Sequence, residues 1–225
     1  MEKIIYDLGA CRGENLKYYL SKSDKVVALE ADPNNCNFIK KKFDEEISKG
    51  RIILDNSIIG VDENLDFATY YIHKTNYLLS QFPKPHEDKI NNFDQIDLPH
   101  KNITKIFDLY GSPYYIKIDL EEYDTKILEK ILKNKIKFKY ISVEIKDLAS
   151  FKLFSKFGNY NSFKIVNGHN VEFVYKNFSP NSAGPFGNDI KGNWISYENF
   201  LEFLKFRINN DGWFDVHCSI NDECE

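Results

Sequence analysis

The sequence predicts an α/β fold, doubly wound around a mostly parallel sheet. Three observations carry this. Residues 3–54 alternate short apolar runs with amphipathic stretches, in the order strand, helix, strand, helix, strand. Crossovers of that kind are right-handed and build a parallel sheet covered on both faces. Lys25-Val-Val-Ala-Leu-Glu30 is a compact β-branched and apolar run, as expected for a strand buried on both sides. Finally, Asp7-Leu-Gly9-Ala-Cys-Arg-Gly13 places two glycines where the first strand meets the first helix.

The elements follow in order. Lys3–Leu8 is the first strand, and Glu14–Leu20 a helix with Leu16, Tyr19 and Leu20 at helical spacing. After the second strand, Asp32-Pro33 opens a helix with an acidic N-cap and a proline in its first turn. That helix is expected to run to about Ser48 and stop at Gly50, before a third strand over Arg51–Leu54. Residues 57–74 read as an antiparallel hairpin, Ser57–Gly60 and Phe67–His73, around an Asp62-Glu-Asn turn. The polar stretch 75–92 carries no period and reads as a loop, and Phe93–Leu98 as a short strand. The α/β rhythm then returns: helix Ile103–Tyr110, strand Tyr114–Leu120, helix Tyr123–Lys133, strand Tyr140–Ile145, helix Leu148–Phe157. Ser162–Val166 and Val171–Tyr175 read as a closing pair around Asn167-Gly168. Residues 178–193 are loop-like and rich in glycine and proline. A helix over Tyr197–Phe206 and a last run, Trp213–His217, complete the chain. The domain reading is 1–177 as one ligand-binding domain with an insertion at about 57–100, and 178–225 as its C-terminal lid and docking helix.

With 225 residues, 42% hydrophobic and 28% charged, the composition is that of a single globular domain. The net charge of −4 argues against a nucleic-acid backbone as partner. No apolar run is long enough to span a membrane, and the N-terminus has no signal-peptide core. Cys11, Cys36, Cys218 and Cys224 form no CxxC pair and no zinc spacing, so a reduced, cytoplasmic setting is expected.

Chemistry concentrates in three blocks. In Asp7–Gly13 the glycines let backbone approach a ligand without a Cβ clash, and the helix start adds unpaired N–H groups. An ordinary glycine-containing turn is the plain alternative. Glu30 ends the second strand, where a carboxylate in a doubly wound sheet accepts the two ribose hydroxyls of an adenosine ligand. Nicotinamide-binding folds prefer G-x-G-x-x-G with phosphates on the helix N-terminus, and here Asp7 occupies the first glycine position. Tyr70-x-x-x-Lys74 matches the spacing of a dehydrogenase pair but falls on a predicted strand and reads as coincidence. No pyrophosphate cradle is evident, so S-adenosylmethionine, an adenosine with a charged amino-acid end, fits better. The third block, Tyr115-Ile-Lys117-Ile-Asp119-Leu-Glu121-Glu122-Tyr123-Asp124, sets acids at the carboxyl end of a strand, the edge where open α/β sheets bind ligands. Helix capping is the plain alternative there, balanced with function for Glu122 and outweighed by it for Asp119.

These blocks resemble the FkbM-like family of S-adenosylmethionine-dependent methyltransferases. The matching residues are Asp7–Gly13, Ala28-Leu-Glu30-Ala-Asp32-Pro33 and Ile116-Lys117-Ile-Asp119-Leu-Glu121. The tail Gly184–Trp194 with Trp213-Phe-Asp-Val-His217 is similar to a subset of that family. The resemblance implies a seven-stranded Rossmann-like sheet and O-methylation of sugars or other small metabolites. It sets Asp7, Gly9 and Gly13 around the methionine part of the cofactor, Glu30 at the ribose and Asn56-Ser57 beside the adenine. Ala10 and Ala31 belong to the same cofactor-binding set. Asp119 and Glu121 line the reaction centre, with Asp119 also touching the cofactor. Glu122 stands where the family usually has glycine, and Asp124 replaces a glutamate. Only six residues precede Asp7, so cover for the cofactor is expected from 75–92 and 178–195 or from a partner chain, a homodimer being one form.

A sugar hydroxyl is a poor nucleophile at neutral pH, so a base or a metal is expected. Base candidates are Asp119, Glu121, His73, His169 and His217, with Asp119, Glu121 and His217 taken as the catalytic set. A divalent ion held by Asp119 and Glu144 is left open, since two carboxylates do not specify a site. Competing readings are a nicotinamide-dependent oxidoreductase and a non-catalytic nucleoside-binding module. The expected partner is a small-molecule or glycan substrate.

Overall fold

In the computed structural model the described residues are 2–136, 138–158, 160–167, 174–176, 183–208 and 214–220. The chain divides into two compact units, 1–113 with 119–127, and 114–118 with 128–225. The fold is the expected α/β one, with parallel pairing between the strands that carry the βα crossovers.

The first unit opens with β1 (Ile4–Leu8), α1 (Leu16–Lys22), β2 (Lys25–Leu29), α2 (Pro33–Lys42), α3 (Asp44–Ser48) and β3 (Ile52–Asp55). β1 pairs with β2 and β2 with β3, both parallel, so that Asp7 lies opposite Ala28 and Leu29 opposite Asp55. All five residues of β1 are buried, which is why its sequence carries no polar alternation. Asp32 caps α2 as expected: its side chain accepts from the Asn34 N–H at 2.8 Å, and Pro33 sits in the first turn. The helix does not run on to Ser48. Phe43 leaves helical geometry at φ −126°, ψ 31° and buries its ring, 6% exposed, so the predicted single helix becomes α2 and α3.

The insertion departs from the expected hairpin. β4 (Ile58–Gly60) and β5 (Phe67–His73) do not pair with each other. Both flank β6 (Phe93–Asn102), β4 parallel and β5 antiparallel. β6 is ten residues long, because the alternation of buried Leu98, His100 and Asn102 continues past the run recognised in the sequence. Asn102 then caps α4 (Ile103–Tyr110), accepting from the Thr104 N–H. Residues 119–127 add a 3₁₀ turn, Glu121–Tyr123, and the start of α5 (Asp124–Lys133).

The second unit contains β7 (Tyr115–Ile118), β8 (Tyr140–Glu144), α6 (Leu148–Phe157), β9 (Ser162–Asn167), β10 (Ile195–Ser196), α7 (Tyr197–Arg207) and β11 (Phe214–Ser219). β7 and β8 are parallel. β11 lies between β8 and β9, antiparallel to both. β9 is therefore paired with the chain's last run on one edge and, antiparallel, with β10 on the other. Of the expected partner, Val171–Tyr175, residues 171–173 lie outside the described residues, and Tyr175 bridges to Ile190 instead. α7 docks through Phe200 and Tyr197, which pack on Phe151 and Phe163 at centroid distances of 5.0–6.0 Å. Trp213 and His169 lie outside the described residues. No helix among the described residues is long and apolar enough to cross a membrane.

Candidate active site

The carboxyl ends of β1 and β2 set the geometry. Past Leu8 the backbone turns at Gly9, φ +81°, and the Gly9 and Ala10 N–H groups both donate to the Leu29 carbonyl, at 2.9 and 3.0 Å. A Cβ on Gly9 would lie 1.9 Å from the Asp119 carbonyl oxygen. The glycine is thus required by the approach of Asp119, whose own N–H donates to the Leu8 carbonyl at 3.0 Å. Gly13, φ +72°, is demanded by packing: a Cβ there would meet Leu16, Phe43 and Ile39 at 2.9–3.3 Å. The ring that breaks the second helix therefore fills the space beneath the first turn.

Glu30 is the electrostatic centre. Its carboxyl is 5% exposed and accepts two peptide N–H groups, Cys11 at Oε2 and Asp32 at Oε1, each at 2.7 Å. Burial raises its pKa to about 8, and the two backbone hydrogen bonds only partly offset that. Cys11, in left-handed conformation at φ +50°, keeps its thiol protonated: burial, then the charges of Glu14 and Glu30, push it up to about 12. Asn56 donates to the Glu30 and Ala31 carbonyls at 2.9 and 2.8 Å, tying the end of β3 to the end of β2. Ser57 Oγ donates to Asp55 at 2.8 Å.

These elements line a cleft that opens to solvent. Of the residues singled out in the sequence, Gly9, Glu30, Ala31, Ser57, Asp119 and Glu121 line it. Asp7, 1% exposed, Ala10, Gly13 and Asn56 shape its base without lining it. Glu121 holds its place in a left-handed conformation, φ +58°, within the 3₁₀ turn that Asp124 anchors by accepting from the Leu120 N–H at 2.6 Å. Glu122, the departure from the family pattern, is exposed.

The remaining wall comes from the insertion. Ile58, Ile59 and Tyr70 arise from β4 and β5; Tyr77, Leu78, Ser80, Gln81 and Phe82 arise from the stretch that reads as a loop. That stretch is ordered by local bonds: Asn76 caps a 3₁₀ turn at Tyr77–Leu79, and Gln81 exchanges both backbone hydrogen bonds with Tyr71. Arg12 lays its guanidinium over the Tyr77 ring, 3.5 Å from the centroid, joining the first turn to this cover. Nothing periodic marks these residues in the sequence; the aromatic density around 68–82 was their one signal.

The described histidines are not part of the cleft lining. His73 Nδ1 accepts from the Asn76 N–H at 3.1 Å, a loop-ordering role. His217 belongs to the second unit, on β11, 1% exposed. Burial, then the charges of Lys117 and Lys164, lower its pKa to about 3, against the opposing influence of the Ala183 backbone. Among the described residues no group of three or more His, Cys, Asp or Glu side chains is placed to hold a metal ion.

A glycine-turned β1 end, a buried acid ending β2 and two acids after β7 form the pattern of a nucleoside pocket with carboxylates at its mouth. The methyltransferase FkbM domain matches residues 7–173. The chain belongs to the FkbM methyltransferase family. It is thus a methyltransferase of the S-adenosylmethionine-dependent class. No curated protein matches it by sequence. Solved structures similar to it include precorrin-6y C5,15-methyltransferase of Geobacter metallireducens GS-15, at 11% identity and TM-score 0.44, covering 96% of this chain and 78% of that one. The methyltransferase domain of bacterial CtHen1 is similar at 10% identity and TM-score 0.47, covering 97% and 90%. TrmK of M. capricolum, solved with S-adenosyl-homocysteine, is similar at 10% identity and TM-score 0.44, covering 99% and 64%.

The cleft of this FkbM-family chain suits the family's cofactor on its own chemistry. A carboxylate offers about four acceptor positions. Glu30 uses two on peptide N–H groups, which leaves capacity for a pair of ribose hydroxyls. The apolar faces of Ile58, Ile59 and Phe82 suit a purine.

Proposed function

We propose that this chain methylates a hydroxyl of a sugar, nucleotide-sugar or related small metabolite. The observation that carries the reading is the convergence of Glu30, Gly9, Ala31 and Ser57 with Asp119 and Glu121 in one cleft. Glu30 would accept the ribose hydroxyls. Ala31, Ser57 and Asn56 would frame the adenine side, and Asp7, Gly9, Ala10 and Gly13 the amino-acid end. S-adenosylmethionine supplies an electrophilic methyl group when bound, so the protein's share is alignment and removal of the acceptor's proton.

Asp119 and Glu121 would orient an acceptor hydroxyl and take that proton. We assign this role to them because both line the cleft, whereas His217 does not. Residues 76–82, latched by Arg12 on Tyr77, would exclude water from the cleft. The amphipathic Tyr77 ring at that cover, together with carboxylates rather than a basic surface, supports a polyhydroxylated small acceptor over a nucleic acid.

The test is transfer of labelled methyl from S-adenosylmethionine into an extract of metabolites and nucleotide sugars, with mass analysis of the product. A label on an oxygen of a small carbohydrate is expected. Label on nitrogen, carbon or a macromolecule would overturn the acceptor assignment. Cofactor binding with no transfer to any acceptor would leave a nucleoside-binding module.

A further inference from the structure

Tyr70 is a buried polar group of the cleft to which the reading above gives no work. It sits within β5, paired with Ile96 of β6. Its ring packs with Ile58 and Leu98 in the core of the three-stranded sheet, with Ala31 and Phe82 against that cluster. The ring is therefore fixed on both sides. Tyr70 is 8% exposed, lines the cleft, and its hydroxyl makes no hydrogen bond to any described residue. A hydroxyl at the wall of a cleft that spends its proton on no protein acceptor can donate it to a bound ligand.

The surroundings say which kind of partner. Burial first, then the nearby carboxylates of Glu30, Asp32 and Glu121, hold the phenol well above its ordinary pKa. At neutral pH it keeps its proton and serves as a hydrogen-bond donor. Lys74, four residues on, points elsewhere: its Nζ donates to the Asn91 carbonyl at 2.8 Å and lies 3.8 Å from Asp94. The Tyr70–Lys74 spacing is thus split, and the lysine that would make Tyr70 an acid–base group is occupied on another surface. Among the charges acting on Tyr70, Glu30 comes first. The ring packs beside Ala31 and Ile58, which follow Glu30 and Ser57 directly in the chain.

We propose that Tyr70 is a specificity residue of the nucleoside end of the cleft, donating its O–H to an oxygen or nitrogen acceptor of the adenosine whose ribose hydroxyls Glu30 accepts. The proposal rests on the reading of the cleft as the S-adenosylmethionine site. The test is calorimetric titration of the full chain with S-adenosylhomocysteine and, separately, with adenosine, alongside melting temperatures. Tyr70→Phe removes one oxygen and keeps the packed ring. It is expected to weaken both ligands by about 3- to 10-fold, the scale of one neutral hydrogen bond, with the melting temperature unchanged. Lys74→Ala is expected to bind as the wild type does. Equal affinity of Tyr70→Phe and wild type would overturn the proposal while leaving the cleft reading intact. A loss confined to S-adenosylhomocysteine would place the contact at the amino-acid end and also overturn it. Wild-type protein that binds neither ligand would instead remove the cleft reading and the proposal with it.

Discussion

The buried carboxyl of Glu30 makes the stability of the fold depend on pH in a defined direction. Its pKa is 4.5 in an exposed reference state and about 8 in the folded chain. Between those values the unfolded chain carries the charge and the folded chain carries the proton. The folded state then binds more protons, so stability falls as pH rises and levels off above about 8. His217 acts in the opposite sense in a lower range. Its pKa drops from 6.5 to about 3, so the unfolded chain takes up its proton first, and stability is lost as pH falls below 6.5. The two effects oppose each other between 4.5 and 6.5. From 6.5 to 8 the Glu30 effect is left uncompensated by His217. At up to ~1.4 kcal/mol per pH unit, that window amounts to a loss of about 2 kcal/mol. Glu30→Gln removes the titration. It also loses one of two hydrogen bonds, since an amide has one acceptor oxygen for the Cys11 and Asp32 N–H groups, at a cost of ~1–3 kcal/mol. Urea unfolding at several pH values should therefore show a falling wild-type stability from pH 6.5 to 8 and a flat variant. The variant should be the weaker protein at pH 6.5, with the gap closing by pH 8. A wild type that is flat across this window, or a variant that falls in parallel with it, would refute the argument.

The same carboxyl predicts that S-adenosylhomocysteine affinity rises with pH up to about 8, by at most ~10-fold per unit, because ribose hydroxyls donate to the ionised form; calorimetry in buffers of different ionisation enthalpy would register the released proton. Gly9→Ala should destabilise by on the order of 3 kcal/mol or more, since it adds a left-handed alanine and a Cβ clash with the Asp119 carbonyl; a variant melting like wild type would contradict the close approach. Asp119→Asn and Glu121→Gln should retain the wild-type melting temperature and lower turnover by ~10² or more; parallel losses of stability and activity would indicate a capping role instead. His217→Leu should flatten the fall in stability below pH 6.5 and leave cofactor affinity unchanged, as followed by thermal melts from pH 7 to 4.

Local signals in this chain were reliable wherever one residue type answers one backbone need. Asp32-Pro33 started α2, Asn102 capped α4, and Asp147 capped α6 by accepting from the Ser150 N–H at 2.7 Å. Each of these is decided within four residues. The pairing in the insertion was not legible, because the strand that both β4 and β5 pair with, β6, starts only at Phe93, well beyond the hairpin that the local pattern suggests. The pairing of the run at the chain's end was not legible for the same reason. Phe214–Ser219 is apolar enough for a strand, yet its seat between β8 and β9 is a matter of register that no local pattern encodes.

By itself, the sequence determined the α/β class, the glycine turn after β1, the acid at the end of β2 and the acids after β7, because burial pattern and backbone conformation are written residue by residue. Tertiary structure decided what those residues face. It added to Gly9's place in the cleft a packing necessity against Asp119. It brought Tyr70 and residues 77–82 to the wall of the cleft. It enclosed His217 in a strand where burial and two lysine charges keep its ring neutral. Such outcomes depend on distances between residues far apart in the chain, and those distances exist only once the sheet has closed around them.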